Sequence, residues 1–292
     1  MVKNVLVTGS SGFLGKTLVK ELIQLNINVI GYDIIDAYDI LNSEQLSNVL
    51  LNKHIDVVIH LAAIADLNIF KMNIELANKI NVLGTSNVLA LCNNFGIRLL
   101  FASTCCCYGN TTKHPSLEGN DIFPTEPYAE SKAISEKHIL ETGLPHTIMR
   151  LATFYGANMR GELAPAIFLD RAHNNRTIDI HGKGLQQRTL TYITDIVSGI
   201  IAILLAEPTY TIVNITGSEI ISVLDMVTLA KNICNSTSDI KFIEDRMGQI
   251  YKEDISNDRL RSLGWKPLIS FDKGMKLSYQ FYIENNGWTA LF

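Results

Sequence analysis

The stretch Val5-Leu6-Val7-Thr8-Gly9-Ser10-Ser11-Gly12-Phe13-Leu14-Gly15 decides the fold, because an apolar strand pattern runs directly into a glycine-rich turn and a helical pattern. Gly9 permits the tight turn, Gly12 lets the backbone approach a pyrophosphate at the helix N-terminus, and Gly15 allows close helix–strand packing. Asp33 ends the next predicted strand, about 20 residues on, where a carboxylate can accept hydrogen bonds from a ribose diol. Because it would repel a 2′-phosphate, the pattern favours NAD over NADP. The alternative is a glycine-rich turn that binds no ligand.

Outward from this turn, short apolar runs alternate with longer helical patterns. Predicted strands cover residues 5–7, 28–32, 57–59, 99–103 and 147–150, and predicted helices cover residues 13–25, 43–51 and 73–93, with another opening at Tyr128. Strands that are apolar throughout are expected where helices cover both faces of a sheet. The sequence therefore predicts an α/β fold, a Rossmann-type doubly wound parallel sheet with a smaller mixed α/β substrate-binding domain.

The pattern changes after Arg150 to shorter, mixed elements. We expect residues 1–150 to form the NAD-binding domain and residues 151–292 to form the substrate-binding cap. Strand-like runs at residues 190–193 and 211–215 flank an apolar helix at about residues 196–205, so we expect the chain to return to the first domain at about residues 186–215. The cap would then be discontinuous, comprising about residues 151–185 and 216–292.

The composition excludes several classes of protein. With 47% apolar and 18% charged residues, the 292-residue chain can bury a well-packed core and is not disordered. Its formal charge of -4 gives no basis for nucleic-acid or membrane binding, and no run of about 18 apolar residues predicts a membrane span. The first residues enter a strand rather than a signal peptide. The five cysteines form neither a disulfide framework nor a metal knuckle, so we expect a cytoplasmic protein without a metal site.

Further motifs follow the glycine-rich turn in order. They are the pair Asp39-Ile40, the segment His60-Leu61-Ala62-Ala63, the helical segment Asn81-Val82-Leu83-Gly84-Thr85-Ser86-Asn87, and Leu263-Gly264-Trp265-Lys266-Pro267. With the GxxGxxG spacing, they resemble the extended short-chain dehydrogenase/reductase family of nucleotide-sugar epimerases, dehydratases and 4-keto reductases. The resemblance implies NAD as cofactor, with these cofactor-binding residues: Gly9, Gly12, Phe13, Leu14, Gly15, Asp33, Asp39, Ile40, Leu61, Ala62, Ala63 and Lys132.

A YxxxK motif lies at the start of the fourth predicted helix, where Tyr128 and Lys132 share one helical face. The spacing alone occurs on many surface helices, but the resemblance implies a catalytic set of Thr104, Tyr128 and Lys132. A base must take the proton of a sugar hydroxyl as a hydride leaves its carbon. A nearby ammonium favours the tyrosine phenolate, and the Thr104 hydroxyl can orient the substrate oxygen.

Cys105, Cys106 and Cys107 follow Thr104. If this segment is extended, Cys106 shares the face of Thr104 while its two neighbours turn into the core, and ordinary packing is the alternative for all three thiols. Dehydratases and decarboxylases of the family carry acids here, so their reactions are disfavoured. Cys106 aligns with the thiol acid/base of GDP-fucose synthase-like epimerase-reductases. Their partner histidine is replaced by Glu162, and they use NADP.

The second half of the chain resembles the substrate side of the family. Thr153 replaces an asparagine that usually touches substrate, and Arg188 and Arg246 match positions that imply contacts to the diphosphate of a nucleotide sugar. Surface salt bridges are the alternative for both arginines. The resemblance also implies a homodimer built on the Asn73–Asn93 and Tyr128 helices, although the latter is about one turn short.

These observations favour an NAD-dependent nucleotide-sugar oxidoreductase, and among its reactions a 4-epimerase that works through a transient 4-keto sugar. A nucleotide 4-keto-sugar reductase or epimerase-reductase is the second interpretation. A non-catalytic dinucleotide sensor is the third, but a sensor has no need of the Thr104, Tyr128 and Lys132 set.

Overall fold

A computed structural model describes residues 2–245 and 249–288. Its strands, in chain order, are β1 (Asn4–Thr8), β2 (Asn28–Tyr32), β3 (Val57–His60), β4 (Arg98–Thr104), β5 (His146–Leu151), β6 (Phe154–Tyr155), β7 (Ile178–His181), β8 (Gln187–Thr189), β9 (Thr191–Tyr192), β10 (Ile212–Ile215), β11 (Ile220–Ser222) and β12 (Ile240–Ile243). Six of them form a parallel sheet in the order β10-β5-β4-β3-β1-β2. The direction of strand succession reverses between β1 and β3, and ligands of such sheets bind at that switch point.

The helices surround this sheet and build the smaller part of the molecule. They are α1 (Phe13–Gln24), α2 (Ser43–Lys53), α3 (Leu67–Met72), α4 (Ile74–Asn78), α5 (Thr85–Phe95), α6 (Pro127–Leu140), α7 (Ala164–His173), α8 (Ile193–Leu205), α9 (Val223–Cys234), α10 (Asp258–Ser262) and α11 (Phe271–Glu284). A π-helical segment, Lys79–Gly84, joins α4 to α5. The helix predicted over residues 73–93 is therefore a continuous helical run with a wider turn in its middle.

Alternate residues of the sheet pack into two different apolar layers. Val5 and Val7 of β1 lie in a cluster with residues of α1 and α8, whereas Leu6 lies in a second cluster with residues of α2, α5 and α6. Successive side chains of a strand point to opposite faces, so apolar strands require a helical layer on each side. This arrangement confirms the predicted doubly wound α/β sheet.

The remaining strands pair in short, mixed sheets outside the central one. β7 pairs with β12 and β6 with β9 in parallel, while β8 and β11 are antiparallel. The run predicted as a strand at residues 190–193 forms only the two-residue β9, and α8 begins at Ile193 rather than at residue 196. β10 joins the edge of the central sheet beside β5. Within the described residues, no helix is long and apolar enough to cross a membrane.

Candidate active site

The glycine-rich turn connects β1 to α1 with its backbone closely packed. Gly9 has φ +70°, and a Cβ added there would lie 2.8 Å from the backbone nitrogen of Ala62. A Cβ on Gly15 would overlap the carbonyl oxygen of Gly9. Gly12 precedes α1 without any side chain that caps the helix. The first turn of α1 thus presents backbone N–H groups from which a phosphate can accept hydrogen bonds. This turn lies at the switch point of the sheet.

Asp33 lies against this turn at the end of β2. Its carboxylate accepts hydrogen bonds from the backbone nitrogens of Ser11, at 2.9 Å, and Ile35, at 3.1 Å. The side chain is 8% exposed, so its charge is held beside the turn. The structure therefore places Asp33 next to the backbone of the glycine-rich turn, a position compatible with the predicted binding of a ribose diol.

The other predicted cofactor residues surround the same edge. The backbone nitrogens of Leu61 and Ala62 donate to the backbone and side-chain oxygens of Thr8, and Ala63 follows directly. The carboxylate of Asp39 accepts a hydrogen bond from the backbone of Leu41, while Ile40 is buried. Leu14 is also buried, and the Phe13 ring stacks on Phe154 with 5.8 Å between centroids.

His60, at the end of β3, has a structural role beside this edge. Its imidazole hydrogen-bonds with the hydroxyls of Thr8, at 2.6 Å, and Thr85, at 3.0 Å. Burial lowers the pKa of His60 to about 3, and the positive charge of Lys132 acts in the same direction. The neutral ring therefore ties β1 to α5 by hydrogen bonds.

Tyr128 and Lys132 lie on α6, which packs beside the end of β4. The Lys132 Nζ donates to the carbonyl oxygen of Ala102 at 2.8 Å and lies 4.7 Å from the centroid of Phe101. Burial lowers its pKa to about 8. Thr104 ends β4 and is 6% exposed.

The electrostatics around Tyr128 differ from the expected ones. Burial raises the pKa of Tyr128, and Cys106 and Cys107 raise it further. These couplings place the phenol beside the turn that follows Thr104. The positive charge of Arg160 lowers the pKa. Proton removal by Tyr128 therefore needs additional positive charge at the site, which an oxidised nicotinamide ring would supply.

A buried ion pair fixes α6 against the sheet two helical turns from Tyr128. The Glu136 carboxylate accepts hydrogen bonds from Arg150 Nη2, at 2.6 Å, and Nε, at 3.0 Å, and from the Ser103 hydroxyl. Both charged side chains are under 5% exposed. Nearer Tyr128, the Asn81 amide donates to Ser131 Oγ at 3.0 Å. The position of α6, which carries the predicted catalytic pair, thus depends on polar contacts that the sequence analysis did not identify.

The three adjacent cysteines form a 3₁₀ turn, Cys105–Tyr108, rather than the extended segment that was expected. The turn begins because the backbone nitrogen of Cys106 donates to Thr104 Oγ1 at 3.1 Å. Cys105 and Cys107 are nevertheless buried, and Cys106 is half-buried. Burial, followed by the charge of Glu253, raises the pKa of Cys106 to about 11, so its thiol is protonated at neutral pH.

On the side predicted to bind substrate, Arg188 pairs with Glu253. Arg188 Nε lies 3.6 Å from Glu253 Oε2, and the backbone of Thr153 hydrogen-bonds to the same carboxylate. Arg188 and Glu253 both act electrostatically on Cys106. The sequence analysis missed Glu253, because an acidic residue seven positions after Arg246 is not a recognisable motif. The predicted Arg246 lies outside the described residues, and Glu162 is exposed.

These features fit a bound dinucleotide. The open α1 N-terminus can hold the pyrophosphate, Asp33 the ribose, and the buried Lys132 lies near the end of β4 where the reactive part would reach Thr104 and Tyr128. A side chain at Gly9 would overlap the backbone of Ala62, and one at Gly15 would overlap the backbone of Gly9, so both glycines are needed for the close packing of this turn.

Known proteins resemble this chain over almost its whole length. The putative UDP-glucose 4-epimerase of Methanocaldococcus jannaschii is 29% identical in an alignment of 304 positions that covers 97% of this chain and 99% of that protein. The UDP-glucose 4-epimerase of Thermotoga maritima, solved with UDP-glucose, has a TM-score of 0.90 and 25% identity, covering 97% of this chain and 99% of that one. The UDP-glucuronic acid 4-epimerase of Bacillus cereus, in complex with UDP-glucuronic acid and NAD, has a TM-score of 0.88 and 25% identity, covering 97% and 99%.

A family model described as the NAD dependent epimerase/dehydratase family matches residues 5–216. This match confirms the resemblance to the extended short-chain dehydrogenases and the prediction of NAD as cofactor. The glycine-rich turn lies at the switch point of the sheet, and α6 carries Tyr128 and Lys132, as this match leads one to expect. The chain therefore belongs to the NAD-dependent epimerase/dehydratase family.

Proposed function

We propose that this protein is an NAD-dependent nucleotide-sugar 4-epimerase. The observation that carries the proposal is that Thr104, Tyr128 and Lys132 lie at the edge of the sheet that fits a dinucleotide. The turn after Thr104 contains three cysteines and no acidic residue. NAD, when bound, would supply the acceptor for the C4 hydride, and return of that hydride to the other face of the 4-keto sugar would complete the epimerisation. The family also contains dehydratases, which need an acid to expel a sugar hydroxyl.

The side chains would divide the proton transfer among them. Tyr128 would take the proton of the sugar 4-hydroxyl, and the Thr104 hydroxyl would orient that oxygen. Lys132 would hold the cofactor ribose and carry a positive charge below its pKa of about 8. Arg188 and Thr153 would contact the nucleotide sugar, and Arg246 is proposed for its diphosphate. Asp33, Asp39, Ile40 and the residues of the glycine-rich turn would hold NAD.

The proposal is tested by incubating the purified protein with pairs of UDP-, GDP- and dTDP-hexoses that differ at C4. We expect interconversion by NMR without net consumption of cofactor, and NAD released on denaturation. Tyr128→Phe should lower kcat by about 10²–10⁴-fold, whereas the matched control Tyr279→Phe, on α11, should not.

Three other outcomes would overturn the epimerase proposal. Consumption of added NADH or NADPH with a 4-keto sugar would establish a reductase. If the reduced product is also epimerised at C3 or C5, an acid/base role for Cys106 would be favoured. A product that has lost water would establish a dehydratase. NAD binding without turnover of any sugar, unaffected by Tyr128→Phe, would establish a sensor.

We also propose a homodimer through the helices that carry the site. Several large apolar side chains on the Ile74–Phe95 run and on α6 are exposed, among them Leu76 (43%), Leu83 (47%) and Ile134 (45%). A second copy of the same surface would cover them. Light scattering should show a dimer that Leu83→Glu weakens, while Leu51→Glu on α2, also exposed, leaves it intact.

All five cysteines are free, which supports the predicted cytoplasmic location.

A further inference from the structure

Glu253 is a buried carboxylate with one oxygen that has no protein partner. Its side chain is 6% exposed, and Oε1 makes no hydrogen bond within the described part of the chain. Backbone contacts hold the segment in place: the Glu253 nitrogen donates to the carbonyl oxygen of Gln187 at 3.0 Å, and its own carbonyl accepts from the Thr189 hydroxyl at 2.6 Å. A buried acceptor without a donor is costly, so this oxygen calls for a ligand that supplies one.

The surroundings of Glu253 are those of the proposed sugar site. Its carboxylate contacts the backbone of Thr153 and lies 3.6 Å from Arg188 Nε, and both residues were predicted on the substrate side. On the other side it acts on the Cys106 thiol, which in turn acts on Tyr128. Glu253 therefore lies beside Arg188, on the side of the chain proposed to bind the nucleotide sugar, and its charge influences the thiol that follows Thr104.

The local charge balance limits which hexose can enter. Arg188 is a cation that lowers the pKa of Glu253, and its Nη1 already donates a hydrogen bond to the carbonyl oxygen of Gln187. Burial raises the pKa of the Glu253 carboxyl to about 7, because Arg188 and the backbone of Thr153 offset only part of the cost of burying its charge. A second carboxylate brought into the same space would meet an anion at low dielectric, with Arg188 as the counter-ion that the described residues supply.

We propose that Glu253 selects the sugar: its free Oε1 accepts a hydrogen bond from a hydroxyl of the hexose, and its charge excludes hexuronates. The inference rests on the proposed nucleotide-sugar function. It differs from a purely structural role, because the fold leaves one buried oxygen of this carboxylate without a donor among the described residues.

The test measures binding rather than turnover, at about pH 8, above the carboxyl pKa of about 7. UDP, dTDP and GDP are titrated first into the NAD-loaded protein, and the glucose and glucuronate esters of the nucleotide that binds are then compared. We expect the glucose ester to bind at least about tenfold more tightly in wild type. Glu253→Gln should remove most of this preference by strengthening glucuronate binding. The control Asp254→Asn removes the same charge one residue on, from a pair with Lys252, and should leave the preference unchanged.

Equal binding of the two esters by wild type, or a preference that survives in folded Glu253→Gln, would overturn the inference. If the variant does not fold, the wild-type comparison alone decides. A protein that shows the preference but turns over no sugar contradicts the proposed function and leaves the selection intact. Failure of all three nucleotides to bind contradicts both.

Discussion

Replacing Glu136 by glutamine should lower the free energy of unfolding by about 3–5 kcal/mol, because it leaves a buried guanidinium without its counter-charge. The two side chains are 2% and 4% exposed, and Arg150 donates from both Nε and Nη2 to the carboxylate. Glutamine retains one acceptor oxygen, but its amide group would face the donors of Arg150 and the Ser103 hydroxyl. The loss therefore exceeds that of an ordinary neutral hydrogen bond, about 1 kcal/mol.

Urea unfolding followed by circular dichroism measures this loss. Since the entropy of unfolding scales with length, about 3–5 kcal/mol over 292 residues corresponds to a decrease in Tm of about 5–8 °C. The control Glu130→Gln, exposed on the same helix, should stay within about 0.5 kcal/mol of wild type. The double variant Glu136→Leu/Arg150→Met should recover most of the stability, because it removes both charges. A loss below about 1 kcal/mol for Glu136→Gln, or no recovery in the double variant, would refute the unpaired-charge explanation.

Three further changes have defined outcomes. Gly15→Ala should cost about 1–3 kcal/mol and abolish retention of NAD, because its Cβ would overlap the Gly9 carbonyl; Gly119→Ala, in open space, should do neither. The pKa of Lys132 is lowered to about 8, so its ammonium is lost as pH rises through about 8, and kcat/KM should fall there; Lys132→Arg should flatten that decline. The pKa of Glu253 is raised from 4.5 to about 7, so the folded state binds more protons between these values and stability falls as pH rises through that window. Glu253→Gln should therefore be more stable than wild type above pH 7, by at most about 3 kcal/mol, and not below pH 4.5.

Each of these predictions can fail in a specific way. NAD that remains bound to Gly15→Ala at wild-type stoichiometry would contradict the packing argument for that turn. A kcat/KM profile that is flat from neutral pH to pH 9 would remove the assigned role of the Lys132 charge. Denaturation midpoints of Glu253→Gln and wild type that stay parallel across the whole pH range would show that burial does not penalise this carboxylate.

Local rules predicted the sheet and the cofactor turn well, because strand alternation and glycine geometry depend on neighbouring residues. They failed where a side chain redirected the backbone: the hydroxyl of Thr104 accepts from the Cys106 nitrogen and winds the next residues into a turn. They also missed Glu253, which reaches Arg188 only because its backbone pairs with β8. No local pattern encodes which distant segment will supply a carboxylate to the cleft.

The π-helical segment Lys79–Gly84 has a consequence for how the long helix meets the sheet. Ala77, Asn81, Thr85 and Leu89 are buried at intervals of four residues. In a regular α-helix such a stripe rotates by about 40° per interval, since each residue turns the helix by about 100°. The π turn, with i→i+5 bonds, winds less per residue and takes up part of that rotation. It therefore acts as a phase correction, which keeps Asn81 aimed at Ser131 on the catalytic helix while Thr85 still reaches His60 at the end of β3.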